Sequence, residues 1–463
     1  MNRRDFFKTT SLTSLALAGG CALQTESKSL KHPHVQRFNM SGFAAPALDK
    51  VRVAIIGLGQ RGPAHLNILR RIEGVEIKAL CDIRPEKTAA AKKRLDGTAH
   101  NPALFTGPED WKKVCERDDI DLVFVTTPWY MHAPMAVYAM NHGKHVASEV
   151  PAAGTIEECW ELVETAERTR KHCMMMENDS YMAFQLMTLN MARQGFFGEV
   201  VHADCAYNTS KMKNNFNKNM YWDMWWLKLY GSRRGNIYPT HGLGPVAQIM
   251  NINRGDKFEF LVSVESNDFM MQARAKELAA TDAFFKPFAE KTYRGNMSVT
   301  TIRTTMGRTI MLQHDATSPS PHNIMHGIYG TKGAALYDPQ PPRLATGNHQ
   351  WVSEQEYKTL VEKYTPKITR RLSELASQMK AGHGGSDLLE DWHLIDCLRN
   401  GLPLDQDVYD AAAWSAIVPL SEWSVLHRSN SVDVPDFTVG AWKTNKPNMD
   451  INLERGGNTK VVV

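Results

Sequence analysis

Val51-Arg52-Val53-Ala54-Ile55-Ile56 runs without a break into Gly57-Leu58-Gly59-Gln60-Arg61-Gly62. A short apolar run suits a buried parallel strand, and the residues after it complete a G-x-G-x-x-G. Gly57 permits the tight turn, Gly59 lets the backbone approach a pyrophosphate, and Gly62 lets the next helix pack on the strand with its N-terminus towards the phosphates. Alone the motif is weak. Here a helix-like stretch over 64–72 follows it, then a second strand over 75–80. Beyond that strand stands Asp82, twenty residues past Gly62, where a carboxylate hydrogen-bonds the adenosine ribose and repels a 2′-phosphate. NAD is therefore expected rather than NADP, with Arg84 as the one contrary feature.

Working outward, Asp121 to Thr127 reads as a later strand ending in Pro128-Trp129-Tyr130-Met131-His132. Ligands bind beyond the carboxyl ends of such strands. A helix-like stretch over 133–141, a strand over 145–148 and Glu149-Val150-Pro151 follow. The fold class is α/β: a doubly wound parallel sheet over 49–172, then an α+β domain over 173–463 with a largely antiparallel sheet. Strand-like pieces at 200–207, 260–266, 297–304 and 309–314 carry that second expectation.

The chain has 463 residues, 43% hydrophobic and 22% charged, with a net charge of +4. That composition excludes wholesale disorder and a disulfide-dense miniature. Basic runs are short and scattered, so no nucleic acid is expected as partner. The seven cysteines show no C-x-x-C pair and no zinc spacing, so no metal is expected.

Residues 1–25 read as an address. Arg3-Arg4-Asp5-Phe6-Phe7-Lys8 resembles a twin-arginine export signal. The apolar stretch behind it spans roughly ten residues, against ~20 for a membrane-spanning helix. Leu17-Ala18-Gly19-Gly20-Cys21 resembles a bacterial lipobox, although Ala18 rather than Leu17 stands three before the cysteine. The expectation is export to the periplasm or cell envelope, with a membrane involved only through a lipid on Cys21. Such a substrate folds in the reducing cytoplasm, so disulfides need not be expected. Residues 26–48 lack a period and read as a linker. Homo-oligomerisation stays open.

Three polar blocks stand out in the second half: Glu177 to Tyr181, Gly235 to Pro245, and His383-Gly384-Gly385-Ser386-Asp387. Histidine beside tyrosine can move protons near neutrality, though a Gly-Pro-rich stretch is as readily a plain loop. Tyr221-Trp222 and Trp225-Trp226 read equally as a buried wedge or a sugar-stacking wall.

The paired halves resemble the Gfo/Idh/MocA oxidoreductase superfamily, and Gly330-Thr331-Lys332-Gly333 resembles its late signature. Ordinary members carry lysine between the glutamate and proline; here Val150 fills that place, which disfavours a plain sugar dehydrogenase. Glu149-Val150-Pro151-Ala152, Glu177-Asn178-x-x-Tyr181 and Tyr238-Pro239-Thr240-His241-Gly242-Leu243-Gly244-Pro245 together resemble glycoside hydrolase family 109. So do Asn400-Gly401-x-Pro403-Leu404-Asp405-x-Asp407-Val408-Tyr409-Asp410 and Val434 to Thr438.

The resemblance implies an NAD-dependent hydrolase of terminal sugars, with α-N-acetylgalactosamine as the expected sugar. The sugar would be oxidised at C3, lose its glycosidic oxygen by elimination after C2 deprotonation, take up water at C1 and be reduced again. Gln60, Arg61, Asp82, Trp129, Tyr130, Met131, His132, Glu149, Val150 and Asn178 would line the NAD site with the three glycines. Tyr181, Tyr238, His241 and Glu149 would be catalytic: His241 for the 3-hydroxyl proton, Tyr181 for the C2 proton with help from Glu149, and Tyr238 to orient the sugar. Tyr207, Trp226, Pro239, Thr240 and His322 would contact substrate with Tyr238 and His241. Trp226 and His322 stand where the family carries arginine and tyrosine, so the reaction is expected with more force than the sugar. An exported NAD-dependent sugar oxidoreductase is the second reading.

Overall fold

The computed structural model describes residues 32–347, 349–379 and 382–462. The export signal and Cys21 lie outside the described residues. Six strands form the first sheet: β1 (Val51–Ile56), β2 (Val75–Cys81), β3 (Ala103–Phe105), β4 (Leu122–Val125), β5 (His145–Ser148) and β6 (Cys173–Met175). All pairings are parallel, in the order β3-β2-β1-β4-β5-β6. The near-continuous burial of β1, β4 and β5 is what a sheet covered on both faces requires. Strand order reverses between β1 and β4, the point where such sheets open a ligand crevice. Gly57 stands at its lip with φ +93°, and a Cβ there would sit 2.6 Å from the Thr126 carbonyl oxygen.

The second sheet has eight strands: β7 (Val200–Asn208), β8 (Phe258–Glu265), β9 (Ser298–Thr304), β10 (Thr309–Asp315), β11 (Gly327–Gly330), β12 (Ala334–Leu336), β13 (Arg343–Ala345) and β14 (Val432–Asp433). Their order is β13-β12-β11-β7-β10-β9-β8-β14. Among these pairings β7 and β10 run parallel and the rest antiparallel. The four strands expected from alternation are all present, within a residue or two at each end.

Three details depart from the expectation. The helix after the glycine turn is Gly62–Leu69, earlier than 64–72, because Pro63 suits a first turn. The first sheet includes β6, past the boundary at 172, because Cys173–Met175 is buried against β5. From residue 32 the linker is a docked strap: Gln36 Nε2 donates to the Tyr409 hydroxyl at 2.8 Å, Met40 N to the same oxygen at 3.2 Å, and Leu48 N to the Leu398 carbonyl at 3.0 Å. A strap held by isolated anchors has no repeating period to read. At the other end, Val461 bridges to Ile72, beside the first sheet.

The Asp405 to Asp410 block proves architectural. Asp407 and Asp410 form a reciprocal capping box on the helix Val408–Ser415. The buried Arg254 joins them, Nη2 lying 2.8 Å from Asp407 Oδ2 and 2.6 Å from Asp410 Oδ2. Arg254→Met would leave two buried carboxylates facing each other. Breaking a buried pair this way costs about 3–5 kcal/mol, so a loss of that size is expected in denaturant unfolding.

Candidate active site

A cavity of about 740 Å³ opens at the switch point and runs between the two halves. Gly57, Gly59, Gln60, Arg61, Asp82, Trp129, Tyr130, Met131, His132, Glu149, Val150 and Asn178, all expected at the cofactor, line it. Gly62 does not. It packs helix on strand, since a Cβ there would lie 2.1 Å from the Gly57 carbonyl oxygen.

The residues present fit a dinucleotide. Gly59 borders the cavity, and a Cβ there would have only Arg84 Nη2 nearby, at 3.9 Å. A ligand backbone can therefore approach closely. Asp82 accepts from Leu58 N at 2.7 Å and from Arg84 N at 3.0 Å, which pins the glycine turn to the end of β2. Arg84 is paired with that carboxylate, Nε to Oδ1 at 3.1 Å, which answers the doubt it raised about NADP. The His132 ring lies 2.8 Å from both the Thr127 and Pro151 carbonyl oxygens and ties the ends of β4 and β5 together.

A charge network underlies the cofactor turn. Arg61 reaches Glu149 Oε1 through Nε at 2.5 Å and Asp387 Oδ2 through Nη1 at 3.0 Å. His65, one turn on, spans Glu149 Oε1 at 2.9 Å and Asp391 Oδ1 at 2.8 Å. Burial pushes the Glu149 carboxyl upward, but Arg61 and His65 overcome it and hold the group well below the usual carboxylate range. Glu149 is thus a fixed anion, poorly suited to assist proton removal from C2.

His241 lies on the wholly buried helix Thr240–Ile249. Gly242 lets this helix meet β7 backbone to backbone, since a Cβ there would lie 2.7 Å from Ala206 N. Gly244 gives Glu177 its room in the same way, with Cγ 2.7 Å from the would-be Cβ. Glu177 Oε1 accepts from His241 Nδ1 at 2.8 Å, and His241 Nε2 meets the Tyr238 hydroxyl at 2.8 Å. Asp179 Oδ2 stands 3.9 Å from Nδ1. Burial lowers the basicity of the imidazole, but Glu177 and Asp179 outweigh it and push His241 up to about 9. Burial pushes Asp179 up to about 6, partly offset by His241. Burial also holds Tyr238 well above the ordinary phenol value, so it stays protonated and relays through its hydroxyl. Ligand atoms of Glu177, Asp179 and His241 lie within 4.8 Å of one another. The Nδ1–Glu177 hydrogen bond, however, uses the nitrogen that a cation would need.

Tyr207 and Trp226 line the same end. Tyr207 lies 4.6 Å from the Tyr238 ring and 4.9 Å from that of His241, and Trp129 stands edge-on to Trp226 at 4.5 Å. The aromatic run is both wedge and wall. Tyr221, Trp225 and Trp226 line the cavity, while Trp226 also joins Met224, Leu227 and Tyr230 in a separate apolar cluster.

Besides Gly62, four expected residues do not line the cavity. Tyr181 is 1% exposed, and its hydroxyl donates to Asp405 Oδ2 at 2.8 Å, behind the site. Its expected role as C2 base is corrected on that geometry. Pro239 and Thr240 are buried at the start of the His241 helix. His322 is exposed, its ring 5.8 Å from Tyr207. Glu177, Asp179, His383 and Asp387 belonged to the polar blocks but were given no role. Glu177 meets His241 64 residues away and Asp387 meets Arg61 326 residues away, and only folding brings these pairs together.

Residues 51–177 match the oxidoreductase family, NAD-binding Rossmann fold, and residues 181–444 match the glycosyl hydrolase 109, C-terminal domain. An α-N-acetylgalactosaminidase of Bacteroides fragilis is 47% identical over 408 residues, 87% of this chain and 95% of the relative. An α-N-acetylgalactosaminidase of Shewanella oneidensis is 41% identical over 460 residues, 96% of this chain and 98% of the relative. A solved scyllo-inositol dehydrogenase of Lactobacillus casei, with bound NAD(H) and scyllo-inositol, shares the fold. Its TM-score is 0.59 at 15% identity, over 83% of this chain and 99% of that one. With a dinucleotide crevice in one half, a histidine–tyrosine pair in the other and relatives matched over nearly their whole length, the chain belongs to glycosyl hydrolase family 109 and carries that family's NAD-binding Rossmann domain.

Proposed function

We propose that the chain is an NAD-dependent glycosidase releasing terminal α-linked N-acetylgalactosamine, the activity named for its Bacteroides fragilis and Shewanella oneidensis relatives. The observation that carries this reading is the Glu177–His241–Tyr238 hydrogen-bond chain, which faces the same cavity as the glycine turn. NAD supplies hydride acceptance and return at C3 within one cycle, so it is held rather than exchanged. The residues of the chain manage the proton. In the neutral imidazole, Tyr238 O–H donates to Nε2, and a sugar hydroxyl meeting Tyr238 can pass its proton along that bond to His241. Glu177 then stabilises the imidazolium through Nδ1, and reversal returns the proton at the end of the cycle. Val150 is buried and carries no proton, so this pair takes the place of the lysine found in ordinary dehydrogenases. The aromatic walls of Trp129 and Trp226 exclude water from the reacting face.

Purified protein given 4-nitrophenyl α-N-acetylgalactosaminide, with no added NAD, should release nitrophenol while absorbance at 340 nm stays flat. Accumulation of NADH without release would overturn the glycosidase reading in favour of a sugar oxidoreductase.

The base form of His241 exists above its raised pKa of about 9, so kcat/KM should climb through an acid limb towards that pH. Glu177→Gln removes the charge that supports the cation. The limb should move down towards the ordinary histidine value of about 6.5, with a plateau lowered about tenfold or more, and His241→Ala should lose about 100-fold or more in kcat. A limb that stays in place in Glu177→Gln would remove His241 from this role.

We also propose that residues 1–25 export the folded chain through the twin-arginine route and that Cys21 receives a lipid. The Arg3-Arg4 motif and the lipobox-like run support this, as do the six described cysteines, all buried and unpaired. Replacing Arg3-Arg4 by Lys-Lys should retain the protein in the cytoplasm, and Cys21→Ser should move it from the membrane to the soluble envelope fraction. Unchanged fractionation in both variants would reject the assignment.

A further inference from the structure

The cavity's charges are almost all spoken for. Its carboxylates are paired: Asp82 with Arg84, Glu109 with Lys112, Glu149 and Asp387 with Arg61. Of its four lysine and arginine side chains, Arg61 and Arg84 are consumed in those pairs, and the His241 imidazole is paired with Glu177, leaving Lys87 and Lys211. Lys87 lies on the helix Pro85–Lys93, directly behind Asp82 and Arg84, at the adenosine end. Lys211 is at the other end.

Lys211 follows β7 four residues after Tyr207 and precedes the short helix Met212–Asn215, whose Asn214 also borders the cavity. Its backbone N–H is fixed to the Ala316 carbonyl at 2.9 Å, so the stem is anchored. Among the described residues, no carboxylate lies within ion-pair distance of its Nζ and no hydrogen-bond acceptor meets it. The group is partly buried, and burial pulls the ammonium below the ordinary lysine value. Lys211 in turn helps burial and His241 lower His322, which touches Tyr207, so the charge sits on the sugar side of the cavity. A half-buried cation without a protein partner costs free energy, and a negative group entering the cavity would offset that cost. Trp226, on the same end of the cavity, offers an indole without charge, so Lys211 is the ammonium available there to an anion.

Resting on the glycosidase reading above, we propose that Lys211 is a specificity-determining residue that binds an oxyanion substituent of the sugar, so that the preferred substrate is an acidic glycoside, sulfated or carboxylated, rather than a neutral one. The ammonium acts as a point charge and forms a charge-assisted hydrogen bond to the substituent. The aromatic wall opposite holds the sugar ring by its apolar face. Lys211 neither touches the Glu177–His241–Tyr238 chain nor moves a proton.

Binding, read without turnover, separates this proposal from the glycosidase reading. NAD-loaded wild-type protein would be titrated calorimetrically with N-acetylgalactosamine, its 4-sulfate, its 6-sulfate and galacturonic acid. At least one anion should bind about tenfold more tightly than the neutral sugar at low salt, and the sulfate and carboxylate arms identify which. In Lys211→Met that ratio should collapse towards one, while Lys211→Arg keeps most of it. The proposal is overturned if no anion outbinds the neutral sugar, if no sugar binds, or if Lys211→Met retains the ratio. It is also overturned if Lys211→Met weakens NAD binding to the same extent, because the charge would then belong to the cofactor. Failure of nitrophenol release from both the neutral nitrophenyl glycoside and its sulfated or carboxylated counterparts, with the anion preference intact, would sink the glycosidase reading alone.

Discussion

The molecule is organised around a buried charge network that cannot be dissolved without separating its two halves. Arg61 and His65, one helical turn apart after the glycine turn, face Glu149 at the end of β5. On the far side they face Asp387 and Asp391, spaced one turn apart on the helix Ser386–Asn400. Each of these groups would be costly to bury alone, and each is tolerable only with its partners in place. The cofactor turn is thereby referenced to an element more than 300 residues later in the chain. Glu149 becomes a permanent anion as a consequence, which removes it from proton traffic and leaves that work elsewhere.

A second buried device is built on the same logic, and the proposed function gives it that work. Ordinary dehydrogenases of this fold meet the reacting hydroxyl with lysine, but Val150 is apolar. The buried imidazole of His241 has its affinity for a proton raised by Glu177 and Asp179, and its other nitrogen meets the Tyr238 hydroxyl. Gly242 and Gly244 make it geometrically possible, because any side chain at either position would collide with β7 or with Glu177. The specific octapeptide around His241 is thus explained by packing as much as by chemistry: two of its residues face the cavity, two provide clearance, and Pro239 and Thr240 merely start the helix.

Much of this could be read before folding. The parallel strands announce themselves as short apolar runs, the G-x-G-x-x-G stands in its required context, and Asp82 falls at the spacing the ribose demands. The antiparallel strands of the second half follow from alternation. The errors share a cause. The resemblance implies Tyr181 for the C2 proton, whereas its hydroxyl points to Asp405 behind the cavity. The block from Asp405 to Asp410 carries part of the family resemblance, and its place in the fold is architectural: Asp407 and Asp410 cap a helix and clamp Arg254. Polar residues in sequence look alike whether they serve a ligand or each other. That the linker docks as a strap from residue 32 is not legible in the sequence, because its anchors, Met40 among them, follow no period.

By itself the sequence determined the two-domain α/β and α+β organisation, the NAD crevice and the family, because these rest on local features: strand-length apolar runs, glycines that turns require, and fixed spacings within one βαβ unit. Only the tertiary structure decided which polar groups are spent on one another and which face the cavity. Charge pairing in a buried site depends on distances between residues remote in the chain. Arg61 and Asp387 stand 326 positions apart yet share hydrogen bonds. Lys211, in an unremarkable polar stretch, is the cation at the sugar end that this pairing leaves over.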